Sequence, residues 1–181
     1  MSKLKKTIIG AIIVGIMAAC GFLYNNFFKP DQEPAKDGIG LHGELTVEVK
    51  DSAGNVKDST HIPNTIVNNG LEYIARLTNG TTTQAFNYIQ IASSDALTTS
   101  STALVDFVEE STATTSYVAD YTARLSWTFN NFASSPTIRS AGIFNDVEAS
   151  TPIMLAGQTF ADKAMEDGDT LQIIWDIIFS R

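Results

Sequence analysis

The segment Leu171–Phe179, LQIIWDIIF, constrains this chain most. Leu171, Ile173, Trp175, Ile177 and Phe179 recur at every second residue, the period that places side chains on one face of an extended strand. The opposite face carries Ile174 and Ile178 beside Gln172 and Asp176. A strand that is apolar on one side and half apolar on the other is covered twice, once by its own core and once by another layer or another subunit. Ile174 and Ile178 are therefore candidates for an assembly face. The stretch from Ile138 to Phe179 contains apolar strands and small turns but few groups able to do chemistry.

The same periodicity runs upstream. In ELTVEVK, Leu45, Val47 and Val49 alternate with Thr46, Glu48 and Lys50, which predicts a half-buried strand. DSAGN then supplies a turn, and VKDSTHI returns as the second arm of a hairpin. After Asn68, Asn69 and Gly70, the spacing of Val67, Leu71, Ile74 and Leu77 predicts one short amphipathic helix ending near Asn79 and Gly80. The tracts TNGTTT, SSDALTTSST and STATTS suit exposed loops and edge strands, because hydroxyls satisfy nearby backbone groups. Tyr121, Ala123, Leu125, Trp127 and Phe129 then alternate with polar residues, predicting a long strand with an aromatic core face. The fold expected is mainly β: seven or eight strands in an antiparallel two-sheet β-sandwich, with the short helix closing one end.

The series NYIQIASSD (87–95), ARLSWTF (123–129), IRSAGIFN (138–145), MLAGQTF (154–160) and DGDTLQIIWDIIFS (167–180) resembles, in order and spacing, a widespread family of phage virion and tail-associated β-domains. GELTVEVKDSAGNV followed by HIPNTIVNNGLEYIARL resembles that family's opening hairpin and short helix. Together these segments span residues 43–180. The chain departs from the pattern where IASSD replaces a glycine-rich turn, and again at its N-terminus, where a membrane-type leader precedes the β-domain. The resemblance implies a structural role in a virus particle, with copies of the same chain and other virion structural proteins as partners, and no cofactor.

That leader, Thr7–Phe28, is 22 residues without a charge, with Lys3, Lys5 and Lys6 before it and Lys29 and Pro30 after it. As a helix it would be about 33 Å long, enough for a hydrocarbon core of about 30 Å. Its apolar residues Ile8, Ile9, Ile12, Ile13, Val14, Ile16, Phe22, Leu23, Phe27 and Phe28 are the candidate membrane anchor. Three readings fit the segment. It can be an uncleaved anchor in membrane lipid, with the lysine end held in the cytoplasm. It can be a secretory leader, in which MAAC places Cys20 as a lipidated residue. It can be a hydrophobic helix buried among subunits in a particle. Pro30 and Pro34 stop the helix, and Gly38 and Gly40 add backbone freedom, so the expected organisation is a hydrophobic helix at 1–28, a linker at 29–41 and the β-domain at 42–181.

A net charge of −8 opposes binding to nucleic acid, whose phosphates would be repelled. A single cysteine excludes an internal disulfide framework and a cysteine-rich metal site. His42 and His61 have no third ligand at metal spacing, so surface or turn roles are expected of them. Asp162, Glu166, Asp167 and Asp169 are close enough for calcium chemistry, but they lack the alternating spacing of a helix-loop-helix site and read as a solvated turn. Glu109 and Glu110 are adjacent and would point to opposite faces of a strand, which prevents an acid/base pair. No nucleophile elbow or phosphate-cradling glycine loop occurs. Tyr88, Tyr117, Tyr121, Trp127 and Trp175 could form a sugar-stacking platform, although alternation along strands assigns them to the core.

The expectation is a non-enzymatic structural protein of a virus particle, membrane-associated through its leader. The alternative is a tethered or lipid-anchored cell-envelope protein whose β-domain binds a glycan or a partner protein.

Overall fold

The computed structural model describes residues 40–130, 132, 134–146 and 152–180. The hydrophobic segment at 1–28, with its ten candidate anchor residues and Cys20, lies outside the described residues, as does the linker at 29–39. Among the described residues no helix is long and apolar enough to cross a membrane.

Nine strands and one helix are arranged in the order β1 (Gly40–Lys50), β2 (Val56–Ile66), α1 (Asn68–Thr78), β3 (Tyr88–Ala92), β4 (Phe107–Thr112), β5 (Thr114–Tyr117), β6 (Thr122–Phe129), β7 (Thr137–Phe144), β8 (Met154–Ala164) and β9 (Thr170–Ser180). The mainly β, antiparallel architecture with one helix matches the expectation. Its detail differs in two respects. A ninth strand, β5, forms within the threonine- and serine-rich tract. The strands also form one continuous sheet, in the order β4-β3-β7-β8-β2-β1-β9-β6-β5, in place of two separate ones.

Two corners make that continuity. β2 pairs with β1 along most of its length, then hands over to β8 through only Thr65↔Gly157 and Ile66↔Ala156. At the other corner, β4 and β5 are the two ends of the strand order, yet only Ala113 separates them in the chain. One bent stretch of chain thus borders β3 in one layer and β6 in the other, and the sheet is nearly closed. Ala113 fits this bend because its small side chain is buried while its N–H donates to the Asn87 carbonyl at 2.7 Å.

Alternation decides what fills the interior. Leu45, Val47 and Val49 of β1 meet Leu171, Ile173, Trp175 and Ile177 of β9 and Leu125 and Phe129 of β6, all essentially buried. From the other layer come Ile89, Ile91, Ile138, Ala141, Ile143, Leu155 and Ala156. Phe179, expected on the same core face, is 38% exposed because β9 runs past the edge of the core.

A second, smaller core lies outside the β4-β3-β7-β8 layer. Val67, which precedes α1, Ala92, Leu104, Phe144 and Met154 pack there with Tyr88 and Leu97, beneath the 93–106 loop. Gly142 and Gly157 stand opposite each other in that face, and a Cβ on Gly157 would meet the Leu97 side chain at 3.3 Å. The glycine pair therefore leaves the depression into which the loop settles. IASSD, where the sequence lacks a glycine-rich turn, is pinned instead by polar bonds. The Ser140 hydroxyl donates to the Ser94 carbonyl at 2.7 Å, and the Ser93 N–H donates to the Asp106 carbonyl at 3.0 Å.

The expected stripe of α1 holds in part. Val67 is buried and Ile74 packs half-buried against the main core, whereas Leu71 is 47% exposed and Gly70 and Tyr73 are buried in its place. The helix touches β8 through bare backbone: a Cβ on Gly70 would stand 2.3 Å from the Leu155 carbonyl oxygen. Gly70→Ala should therefore lower stability by about 1–3 kcal/mol, the usual cost of overpacking, read as a reduced urea midpoint. An unchanged midpoint would show that α1 is not seated on β8.

Candidate functional site

The two layers present unlike outer surfaces. On β4-β3-β7-β8 the outward residues Ala92, Ser140, Phe144 and Met154 are buried, with the 93–106 loop packed over them. On β2-β1-β9-β6-β5 none of the outward residues Glu44, Thr46, Glu48, Gln172, Ile174, Asp176, Ile178, Arg124 or Ser126 is buried. Registration places Ile174 at the centre of this bare face, between Thr46 on β1 and Ser126 on β6. Ile178 lies between His42 and Thr122. Both isoleucines are half-buried by their neighbours alone. Between them, Asp176 accepts two hydrogen bonds from Arg124, at 2.7 Å each, a bidentate pair that holds β9 to β6. Lys50 donates to Gln172 at 2.8 Å and so ties β1 to β9 on the same face.

The residues with chemical potential do not converge. His61 lies 2.9 Å from the Thr46 hydroxyl and 3.4 Å from Glu44, while His42 sits two side-chain rows along β1. Among the described residues no group of three or more His, Cys, Asp or Glu side chains is arranged to hold a metal ion. Glu110 accepts from Gln90 at 3.0 Å, and Glu109 lies beside Ile91, where partial burial raises its carboxyl above the ordinary range. A hollow of about 210 Å³ between Thr65, Leu97–Thr99 and Gly157–Thr159 is smaller than most small-molecule sites, which span roughly 300–1,000 Å³.

In the acidic run before β9, Asp162, Glu166 and Asp167 are exposed, as a solvated turn requires, while Asp169 is buried. Asp162 forms a bidentate pair with Arg139, at 2.9 and 3.0 Å. Lys57 of β2 inserts its ammonium between Glu166, at 2.5 Å, and the buried Asp169, at 2.9 Å. A cation of the chain's own thus occupies the centre of the cluster. Nearby Lys163, 2% exposed, spans the gap where β2 and β8 part, donating to Asp58 at 2.6 Å and Thr60 at 2.7 Å. Neither lysine is marked out by its sequence neighbours, because each finds its partners more than 100 residues away.

The five aromatic candidates separate. Trp175 is fully buried and Tyr88 half-buried in the smaller core. Tyr117, Tyr121 and Trp127 are 72%, 64% and 38% exposed, which corrects their assignment to a core face. The cause for Tyr121 is that β6 begins only at Thr122, leaving it in the hairpin turn. Tyr117, Val118 and Tyr121 surround that turn, and Phe179 joins them through its N–H, which donates to the Tyr121 carbonyl at 3.2 Å.

The Lys57–Asp169 contact gives a pH prediction. The Lys57 ammonium, then the Glu166 N–H, hold the Asp169 carboxyl below its ordinary value of 3.8, so its contribution is present above about pH 4 and fades as pH falls further. Asp169→Asn should be less stable than the parent at pH 6, and the difference in urea midpoint should shrink by pH 3. A constant difference would show that the carboxylate charge is not what matters. Comparison of the chain with protein-family models, curated proteins and solved structures gave no match.

Proposed function

We propose that this chain is a non-enzymatic structural protein of a virus particle. Its β-domain assembles with copies of itself and with other virion proteins, and its N-terminal hydrophobic segment holds it in a membrane or in the particle interior. One observation carries the reading: of the two outer faces, one is covered by the 93–106 loop, and the other has no element over it, with Ile174 at its centre. A mixed face of this kind, apolar at its centre and polar around it, matches the general composition of protein–protein contacts. The resemblance of the segments between 43 and 180 to phage virion β-domains supports the same reading. No nucleic acid, metal or cofactor takes part in it.

A second reading, glycan binding by a cell-envelope protein, has its own observation. The Trp127 ring is exposed among Thr114, Ser126, Thr128 and Gln172, an aromatic surface with polar neighbours. Trp127→Ala with retained particle incorporation but lost adhesion to host polysaccharide would favour this alternative.

The assembly reading is tested by replacing Ile174 and Ile178 together with Asp. The doubly substituted chain should retain its β circular dichroism while its incorporation into particles falls at least tenfold. Normal incorporation of the folded variant would remove the bare face from the proposal.

A further inference from the structure

Among the exposed apolar residues that the bare face leaves unused, four gather at one end of the domain. Tyr117, Val118 and Tyr121 at the β5–β6 turn, with Phe179 at the end of β9, are 72%, 47%, 64% and 38% exposed. Their backbone is held by specific bonds. The Val118 N–H donates to the Thr122 carbonyl at 3.0 Å, the Thr122 N–H to the Ala119 carbonyl at 2.9 Å, and the Tyr121 N–H to the Tyr117 hydroxyl at 3.3 Å. Asp120 and Tyr121 both adopt positive φ, 47° and 64°, a conformation that costs a bulky L-residue. The turn therefore accepts strain and leaves two tyrosine rings in solvent.

The position of this cluster identifies what it faces. Gly40 and Leu41, where the described chain begins, pair with Ser180 and Phe179, so the upstream chain joins the domain at the aromatic end. Eleven residues, Lys29–Ile39, separate that point from the uncharged segment Thr7–Phe28. Fully extended they reach at most about 38 Å. If Thr7–Phe28 lies in a bilayer, this end of the domain is confined near the lipid surface. Tyrosine suits that boundary, because its ring prefers the apolar side and its hydroxyl the wet one. The domain also carries many more acidic than basic residues, so attraction to anionic headgroups is not the source of contact.

We propose that the end of the domain formed by Tyr117, Val118, Tyr121 and Phe179 seats on the headgroup region of a lipid bilayer, fixing the orientation of the bare face above the membrane. This rests on the membrane form of the function proposed above.

The test uses the full chain with Cys20→Ser, reconstituted into phosphatidylcholine vesicles. One environment-sensitive fluorophore is placed at Val118→Cys or, as the control, at Val56→Cys. Val56 is 54% exposed and pairs with Lys50, at the other end of β1, about 33 Å away along the strand. Lipids carrying a quencher just below the headgroups should quench the label at 118 at least threefold more than the label at 56, and iodide in the buffer should do the reverse. Replacing Tyr117, Tyr121 and Phe179 with Ser should abolish the lipid quenching at 118 while the chain still floats with the vesicles and keeps the urea midpoint read by the label at 56. Equal quenching at both positions in vesicle-bound protein overturns the seat and leaves the anchor standing. Failure to float overturns both. Protection at 118 that appears only with added host polysaccharide, or only in assembled particles, assigns the cluster to a glycan or a protein and also overturns the proposal.

Discussion

The pairing of the first described strand with the last holds this domain together. β1 and β9 match over eleven residues, from Gly40↔Ser180 to Lys50↔Thr170, without a register break. Every inward residue of β1 from Leu45 onward meets an inward residue of β9, and Trp175, fully buried, stands between Leu45 and Leu125. Burial of large apolar side chains supplies about 1.5–3 kcal/mol each, so this pair of strands with β6 beside it carries a large share of the folding free energy. The closing contact spans nearly the whole described chain, and long-range pairing of that kind slows folding because loop entropy is lost before contacts compensate. Part of the core is not satisfied: the Trp175 Nε1 is buried without a hydrogen-bond partner among the described residues. The ring is held there by its apolar area.

A nearly closed sheet then results from two economical corners. Where β2 leaves β8 after two residue pairs, a gap in the hydrogen-bond ladder would expose polar backbone, and Lys163 crosses it to Asp58 and Thr60. Its long aliphatic stem suits the buried position, and its ammonium reaches the half-exposed Asp58. At the other corner the threonine- and serine-rich β4–β5 stretch supplies the edges.

The elements are legible in the sequence because alternation records burial. β1, the turn after it, β9 and the place of the helix are all set by residue spacing and turn chemistry; the Asp51 carboxylate accepts from the N–H groups of Ala53 and Asn55 as a DSAGN turn requires. What period and composition do not record is closure. Nothing local to Ala113 says that β4 and β5 border different layers, and nothing local to Gly70 says that a carbonyl will approach it, so the sheet count and the helix face are where structure and expectation part. The same limit applies to function. The exposure of Tyr121 depends on where a hairpin turns, one residue before β6, and a two-residue period cannot distinguish the last inward residue from the first residue outside. The outward orientation of Ile174 and Ile178 is readable because β9 is central and its outward face is fixed by the same register that buries Trp175.

A bent, nearly closed sheet has two kinds of surface, ends and flanks, and a tether makes them unequal. On the proposed reading the end at Gly40 is committed by the upstream chain, so lateral neighbours can meet only the flanks. One flank is already covered by the 93–106 loop, which packs Leu97 and Leu104 onto it. The opposite flank keeps its side chains half-exposed and is stiffened by the Arg124–Asp176 and Lys50–Gln172 contacts that cross it. A stiff face loses little further conformational freedom when it is covered, so in the proposed assembly a modest apolar centre such as Ile174 would suffice.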